Sequence, residues 1–209
     1  MHDYGVAGIL LAAGKSTRMG KNKLALPFKE LTIGSHSFQS AARSRLQHLF
    51  VVTKKADSLN WLIPCQPRVN SVPWSQKTCP DAVKGQSYSI KCGIKAAMDS
   101  RSEAVIIMLA DQPCVTIALI NSLILTFEWE KQLGNDILYV ATKHNGVIQP
   151  PILFTTRAYP ELLKLEGDKG ARYLLKHKMF DRGVIMNWDD PMCFFDVDTE
   201  VQYRILISR

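Results

Sequence analysis

Two uninterrupted apolar runs constrain the fold of this 209-residue chain more than any other feature. The first run, GVAGILLA, begins at Gly5, and the second, AVIIMLA, begins at Ala104. Apolar runs of this length, without polar residues at alternate positions, are typical of strands that are buried on both faces of a sheet. We therefore predict that both runs are strands of a sheet covered by helices.

Strand-like and helix-like segments alternate along the rest of the chain. Further strands are predicted at 49–54, 69–72 and 183–188, and a hairpin at 136–154, where Asn145-Gly146 is typical of a type I′ turn. Helical spacing marks residues 35–45, 85–100, 116–133, 156–165, 168–178 and 199–207. This order predicts an α/β fold with a mostly parallel sheet covered on both faces, and with a small antiparallel hairpin insertion at one edge.

The composition indicates one globular domain that spans residues 1–209. Hydrophobic residues make up 46% of the chain, and no apolar run approaches the roughly 18 residues that a membrane span requires. The N-terminus lacks the basic start of a secretory signal, and the five cysteines form no C-x-x-C pair and no zinc spacing. A reducing cytoplasm is therefore the expected location.

The formal charge of +7 points to an anionic partner. The basic residues are spread along the chain and are not gathered in a tail, and aromatic residues do not alternate with them as they do on a base-stacking surface. These features favour an anionic small molecule over a nucleic acid.

The loop after the first apolar run contains GKST, which resembles the end of a P-loop. A P-loop would also need a glycine at position 9, where this chain has Ile9. The small residues Ala12, Ala13 and Gly14 instead suggest a loop whose backbone amides can approach a phosphate closely. The nearby cations are Lys15, Arg18, Lys21 and Lys23. The alternative interpretation is a surface loop whose cations are solvated.

Three further places carry candidate polar ligands. Asp111 ends the second apolar run, where a carboxylate would bind a metal ion or cap the next helix. Asp196 and Asp198 form a second carboxylate site, of which only one residue needs to reach the ion. The third place is the helix start with Gly85, Ser87 and Ser89. It offers either free backbone N–H groups for a ligand or ordinary helix capping.

Together these segments resemble the MobA-like nucleotidyltransferase superfamily. The stretch LAAGKSTRMGKNK, from Leu11 to Lys23, matches its signature L-A-A-G-x-S-x-R-M-G-x-x-K. GQSYSIKCG, LADQP, QPPILF, GDKGAR and DVDT follow in the order of the molybdenum-cofactor cytidylyltransferase branch. The resemblance implies a Rossmann-like three-layer α/β/α fold of the nucleotide-diphospho-sugar transferase type.

The resemblance also implies ligands and a reaction. CTP and Mg²⁺ are the implied nucleotide and cofactor, and a molybdopterin-type small molecule is the implied acceptor. Its terminal phosphate would attack the α-phosphorus of CTP in line and release pyrophosphate. A molybdenum hydroxylase of the xanthine dehydrogenase type is the implied protein partner.

The residue roles follow from the matching motifs. Nucleotide binding is assigned to Leu11, Ala12, Ala13, Gly14, Arg18, Lys23, Gly85, Ser87 and Ser89. Catalysis is assigned to Arg18, Lys23 and Asp111, and metal binding to Asp111 and Asp198. Contact with the pterin is assigned to Pro150, Gly167, Asp168, Lys169 and Arg172.

The chain departs from the branch pattern at a few positions. Gln86 and Tyr88 stand where small residues are usual, Pro151 is an additional proline, and Lys29-Glu30 replaces a usual glycine pair. Two alternatives therefore stay open. One is a transferase of the same superfamily that uses GTP or another NTP, and the other is a carrier that delivers the molybdenum cofactor without turnover.

Overall fold

A computed structural model describes residues 5–14, 16, 19–63, 71–177 and 181–209. Its strands, numbered in chain order, are β1 (Val6–Leu11), β2 (Pro27–Phe28), β3 (Leu31–Thr32), β4 (His48–Lys54), β5 (Trp74–Cys79), β6 (Ala104–Leu109), β7 (Tyr139–His144), β8 (Val147–Thr155) and β9 (Gly183–Asn187). The α-helices are α1 (Ile33–Ala42), α2 (Gln86–Asp99), α3 (Ile117–Gln132), α4 (Tyr159–Leu163), α5 (Arg172–His177) and α6 (Glu200–Ile207). Short 3-10 helices in the described part of the chain lie at Lys23–Ala25, Pro80–Lys84, Thr156–Ala158 and Pro191–Phe194.

The main sheet has seven strands in the order β5-β4-β1-β6-β8-β7-β9. β1 lies between β4 and β6 and is parallel to both, and β5 is parallel to β4. β8 is antiparallel to both of its neighbours, β6 and β7. The two apolar runs of the sequence are thus the adjacent strands β1 and β6, which lie third and fourth in the order of the sheet.

Helices cover both faces of this sheet, and the predicted α/β class with a mostly parallel sheet is confirmed. Along β1, Ile9 contacts the core cluster that includes residues of α2, α4 and α5, and Leu10 contacts the cluster that includes residues of α1 and α3. Alternate residues of a strand point to opposite faces. An uninterrupted apolar run is therefore what a strand between two helical layers requires.

Two glycines allow the layers around β1 to approach closely. A Cβ atom at Gly93 of α2 would lie 2.4 Å from Cγ2 of Ile9. A Cβ atom at Gly8 would lie 2.7 Å from a Leu46 methyl carbon, 2.8 Å from one of Leu49 and 2.9 Å from that of Met108. These positions have no room for a side chain because the interior is close-packed.

The hairpin formed by β7 and β8 has the predicted turn, with φ values of 47° at Asn145 and 76° at Gly146. Its position differs from the expected edge, because β9 pairs in parallel with β7 and forms the outer strand. The sequence pattern of β9 shows that it is a strand, but nothing in that pattern identifies the strand beside it.

The segment between β4 and α2 also differs from the sequence prediction. Part of the strand expected at 69–72 falls outside the described residues, and 71–72 are not in a strand. The edge strand is instead β5, whose side chains alternate between exposed and partly buried. Among the described residues, one edge of this strand has no neighbouring strand, so a polar sequence such as WSQKTC is tolerated there.

The helix starts follow the expected capping chemistry. Thr32, Thr116 and Thr199 each accept a hydrogen bond from a backbone N–H of the first turn, at 3.1–3.2 Å. The predicted helix at 168–178 is shorter than expected, because residues 167–171 form a turn before α5 begins. Among the described residues, no helix is both long and apolar enough to cross a membrane.

A two-stranded antiparallel ladder, β2 and β3, follows the 3-10 helix at Lys23. Lys29 occupies its turn with φ of 50°, a conformation that favours glycine. This is the place where the branch pattern has two glycines, so the departure from that pattern lies at the tip of a turn. The Lys29 and Glu30 side chains are exposed.

Candidate active site

The site lies where β1 and β6 end side by side. Leu11 pairs with Leu109 in the parallel register of the two strands. Ala110 then donates a backbone hydrogen bond to the Leu11 carbonyl at 3.1 Å, and Ala12 donates one to Val52 at 2.8 Å. The small-residue loop and the Asp111 segment therefore leave the same edge of the sheet, where ligands of open α/β folds bind.

Lys23 lies at the centre of the polar groups at this edge. Its Nζ donates hydrogen bonds to Asp111 and to Asp198, the latter at 2.5 Å. Asn22 caps the 3-10 helix that begins at Lys23 by accepting from the Leu24 N–H at 3.1 Å. The lysine side chain is only 9% exposed, so the ammonium group is held between the two carboxylates away from bulk water.

The backbone fixes the two carboxylates beside each other. Val197 donates a backbone hydrogen bond to the Asp111 carbonyl at 3.1 Å. The Asp198 N–H donates to Gln202 Oε1 at 2.9 Å, which ties the aspartate to the first turn of α6. Asp111 and Asp198 are therefore held in place by backbone hydrogen bonds that do not use their carboxylate groups.

Charge interactions at Lys23 outweigh the cost of its burial. Burial disfavours the charged form, but the carboxylates of Asp111 and Asp198 raise the pKa of Lys23 above its ordinary value. The lysine is therefore an ammonium ion throughout the physiological pH range.

Asp196 lies apart from this ion-pair cluster, although it is only two residues from Asp198. Burial and the negative charge of Asp111 raise the pKa of Asp196 to about 6, and Asp198 acts in the same direction. Gln112, which is fully buried, acts in the opposite direction. The sequence allowed either aspartate to reach the ion, and in the structure Asp198 is the one that contacts Lys23.

A cleft of about 480 Å³ opens over the Lys23 cluster. The predicted nucleotide-binding residues that line it are Leu11, Ala12, Ala13, Gly14, Lys23, Gly85 and Ser89, together with Asp111 and Asp198. Arg18 lies outside the described residues, so its predicted role stays a prediction. Gln86 lines the cleft as part of the predicted helix start, and Ser16 and Leu109, which had no predicted role, line it as well.

Ser87 lies beside the cleft without lining it. Its side chain is fully buried, and its Oγ has no hydrogen-bond partner among the described residues. Its backbone N–H donates to the Gly167 carbonyl at 3.1 Å. The predicted nucleotide contact of Ser87 stays a prediction, and the observed contact connects the start of α2 to the loop before α5.

Gly85 reinforces that connection. It has φ of 131°, and a Cβ atom there would lie 2.3 Å from the Gly167 carbonyl oxygen. The backbones of residues 85–87 and 167–169 are therefore in contact. Only glycine at position 85 allows this contact. Gly167 thus supports the wall of the cleft in the structure.

A second cavity of about 510 Å³ adjoins the first. Gln86, Leu109 and Asp168 line both cavities, so these residues form the junction between them. Of the residues predicted to contact the acceptor, Pro150, Asp168, Lys169 and Arg172 line the second cavity. Gly167 does not line it, and its predicted acceptor contact stays a prediction.

Sequence reasoning missed other residues of the second cavity, among them Gln149, Tyr173, Lys176 and Asp196. Lys176 follows Arg172 by four residues in α5, which places both cations on one helix face. That spacing is visible in the sequence. The contribution of Gln149 is not visible, because it depends on how the hairpin inserts beside β6.

The Asp111–Asp198 pair fits a hard divalent cation. Carboxylate oxygens are the ligands that Mg²⁺ prefers, and a magnesium site often uses only one or two of them, with phosphate oxygens and water as the remaining ligands. Both carboxylates already contact one cationic group, the Lys23 ammonium. Within the described residues, no cluster of three or more metal-ligating side chains is present, so such an ion would need ligands from the nucleotide.

Known proteins resemble this chain in sequence and in fold. The chain is 37% identical over 201 residues to the purine catabolism protein PucB of Bacillus subtilis, and the match covers 95% of this chain and 94% of PucB. It superposes on Rv0371C of Mycobacterium tuberculosis, solved in complex with manganese, with a TM-score of 0.70, 21% identity and 98% coverage of both chains. It also superposes on 4-diphosphocytidyl-2C-methyl-D-erythritol synthase of Anaerococcus prevotii, with a TM-score of 0.71, 15% identity, and coverage of 99% of this chain and 96% of the synthase.

The structural matches are below 25% identity and show the shared fold. The family model of the MobA-like NTP transferase domain matches residues 8–182, which include the loop after β1, Asp111 and the lining residues of the second cavity up to Lys176. The chain is therefore a nucleotidyltransferase and belongs to the MobA-like NTP transferase domain family.

Proposed function

We propose that this nucleotidyltransferase transfers CMP from CTP to the terminal phosphate of a molybdopterin acceptor and releases pyrophosphate. The product would serve the maturation of an enzyme of the xanthine dehydrogenase type. One observation carries the proposal: two adjoining cavities meet at Gln86, Leu109 and Asp168. A transferase that joins two anionic substrates needs two such compartments with one reaction point between them.

The first cavity suits the triphosphate. The loop at Ala12, Ala13 and Gly14 lines it without large side chains, so that phosphate oxygens can approach backbone N–H groups. Lys23 lies in the same cavity and supplies a buried positive charge. Its hydrogen bonds to phosphate would be charge-assisted, and such bonds are about twice as strong as neutral ones.

The second cavity suits the acceptor. Lys169, Arg172 and Lys176 line it and offer three positive charges, which favours an acceptor that carries a phosphate. Pro150 and Tyr173 add apolar surface on which a flat ring can lie. This combination supports a phosphorylated heterocycle, and the relationship to PucB, a purine catabolism protein, supports a role in purine catabolism.

The chain's own residues need only to bind, orient and neutralise charge. The acceptor phosphate in the second cavity would face the α-phosphorus of the nucleotide at the junction, and pyrophosphate would leave on the opposite side. Lys23 would neutralise charge that develops on the phosphate oxygens. Asp111 and Asp198 would hold Mg²⁺, which when bound supplies Lewis-acid charge neutralisation at the phosphates. A covalent nucleophile is not required.

Two features of the relatives support the choice of ligands. The manganese complex of Rv0371C supports a divalent cation in this fold, and the name of the diphosphocytidyl synthase supports cytidylyl transfer on it. We also propose one nucleotidyltransferase domain over residues 1–209 and a cytoplasmic location. The location is supported by Cys79, Cys92, Cys114 and Cys193, all of which are free thiols.

Pyrophosphate release tests the proposal. The purified protein is mixed with molybdopterin, Mg²⁺ and each of the four NTPs in turn. We expect release with CTP that depends on both the acceptor and Mg²⁺, and a product that contains CMP. Pyrophosphate release with GTP alone would mean that GTP is the nucleotide in place of CTP. Tight binding of molybdopterin without pyrophosphate release from any NTP would favour the alternative of a molybdenum-cofactor carrier without turnover.

A further inference from the structure

Lys23 occupies the position between Asp111 and Asp198 that the proposed function assigns to a divalent cation. Its Nζ contacts both carboxylates, that of Asp198 at 2.5 Å. We propose that Lys23 holds this position until a nucleotide arrives, so that the site takes the complex of a divalent metal with a triphosphate and excludes the free metal ion. The inference rests on the proposed function, because it takes the metal site as given.

The charges in the cluster explain why a free metal ion would bind poorly. Among the described residues, one ammonium already faces both carboxylates and balances one of their two negative charges before any ligand binds. A free divalent ion would have to displace Lys23, whose side chain is only 9% exposed. The ammonium would then lie close to the metal in a buried site without an anionic partner, and such an unpaired buried charge is strongly unfavourable.

A triphosphate removes that penalty. It brings negative charge into the same cleft, and Lys23 can transfer its hydrogen bonds from the carboxylates to phosphate oxygens. The lysine backbone is already beside the phosphate loop, because its N–H donates to Ser16 Oγ at 3.4 Å. Only the side chain of Lys23 has to move, so metal and nucleotide should bind with positive cooperativity.

The neighbouring cation Lys21 cannot take this role in the structure. Its Nζ lies 3.6 Å from Glu200, and its side chain is 52% exposed. It does not line the cleft, whereas Lys23 does. Of these two described lysines, only Lys23 is placed to compete with the metal, so the competition can be tested by substituting Lys23.

The test measures Mn²⁺ binding to the full chain by electron paramagnetic resonance, without any turnover. Wild type is expected to bind Mn²⁺ at least tenfold more tightly with the non-hydrolysable analogue α,β-methylene-CTP than without it. Lys23→Met should bind free Mn²⁺ at least tenfold more tightly than wild type. Lys23→Arg keeps the positive charge, so its affinity for free Mn²⁺ should stay as low as that of wild type. Lys164→Met, which removes a lysine from an exposed pair with Glu161, is the control.

Two results would overturn the inference in different ways. In the first, Lys23→Met binds free Mn²⁺ no more tightly than wild type, while the analogue still strengthens Mn²⁺ binding. The proposed metal site would then be retained, and the proposed competition between Lys23 and the free metal ion would be wrong. If neither protein binds Mn²⁺ with or without the analogue, the metal site itself is wrong. Lys23→Gln serves if the methionine variant does not fold, and Mn²⁺ alone should raise the Tm of either neutral variant more than that of wild type.

Discussion

Lys23 is 88 residues from Asp111 and 175 from Asp198 along the chain, yet its ammonium contacts both carboxylates. The contact exists because β1 and β6 end at one edge of the sheet and the segment before α6 returns there, with Val197 bonded to the Asp111 carbonyl. We expect a substitution at one of these three residues to lower the reaction rate far more than the free energy of unfolding.

Lys23→Ala should reduce kcat/KM by roughly 10²–10³, the usual effect of removing one oriented charge stabiliser. The physical reason is the loss of a buried positive charge beside the phosphates. Steady-state pyrophosphate release measures the effect, with Lys164→Ala as the exposed-lysine control. Near-normal turnover in the Lys23 variant would exclude its catalytic role.

Asp111→Asn should abolish metal-dependent turnover while the protein stays folded. The amide has nearly the same shape as the carboxylate but lacks its charge, and the hydrogen bond from Val197 goes to the backbone carbonyl of residue 111 and is retained. Circular dichroism and thermal melting check the fold beside the activity assay. An unfolded variant would instead favour a structural role for Asp111 at the end of β6.

At the scale of elements, the start of α2 and the loop before α5 form one unit. Ser87 donates to the Gly167 carbonyl, and Gly85 leaves the space in which that carbonyl lies. This unit forms part of the wall between the two cavities, because Gln86 and Asp168 line both of them. A substitution at the start of α2 should therefore alter the binding of the acceptor.

Gly85→Ala should destabilise the protein by about 1–3 kcal/mol, because alanine strains a φ of 131° and its Cβ meets the Gly167 oxygen. It should also raise the KM for the acceptor, because the loop at residues 167–171 must move. Gly134→Ala is the matched control: its φ is also positive, at 77°, but nothing lies within 4 Å of the added Cβ. An unchanged acceptor KM in Gly85→Ala would contradict the account.

The sequence predicts elements well where a pattern is local. The buried strands β1 and β6, the Thr116 cap and the Asn145-Gly146 turn all follow from short stretches, and the structure confirms them. The sequence did not identify β5 as the edge strand, because its polar sequence resembles a loop and, in the described part of the chain, one of its sides has no neighbouring strand. The place of β9 outside the hairpin was also missed, since neighbours in a sheet depend on the whole topology.

The same distinction applies to the candidate site. Asp111 and the small-residue loop can be found in the sequence, because each follows a buried strand. Gln149 lines the second cavity only because the hairpin packs beside β6, and no local pattern marks it. Asp196 and Asp198 could not be separated by spacing, because their different surroundings depend on Gln112 and Lys23.

At the scale of the whole molecule, several buried acids should make stability sensitive to alkaline pH. Burial raises the pKa of Cys92 to about 11, and burial also raises the pKa of Cys114, Cys193 and Tyr159. Above the unfolded-state pKa of a thiol, the unfolded chain has released a proton that the folded chain still holds. Stability should therefore be highest below about pH 8.5 and fall as the pH rises towards 11.

Thermal melts in reducing buffer between pH 7 and pH 11 check this prediction. Between pH 7 and pH 11, the free energy of unfolding should fall by about 1 kcal/mol less in Cys92→Ala than in wild type. This value is reduced because the thiol is partly exposed to solvent. A melting temperature that stays constant to pH 11, or that falls equally in Cys92→Ala, would contradict the assignment.

The central claim is that Lys23, Asp111 and Asp198 surround one metal–triphosphate complex. A crystal structure with Mn²⁺ and α,β-methylene-CTP tests it most directly, because the anomalous signal locates the manganese. We expect the ion within coordination distance of the Asp111 and Asp198 carboxylates, with the Lys23 ammonium moved onto a phosphate oxygen. An ion bound elsewhere, or a triphosphate outside the cleft at Ala12, Ala13 and Gly14, would contradict it.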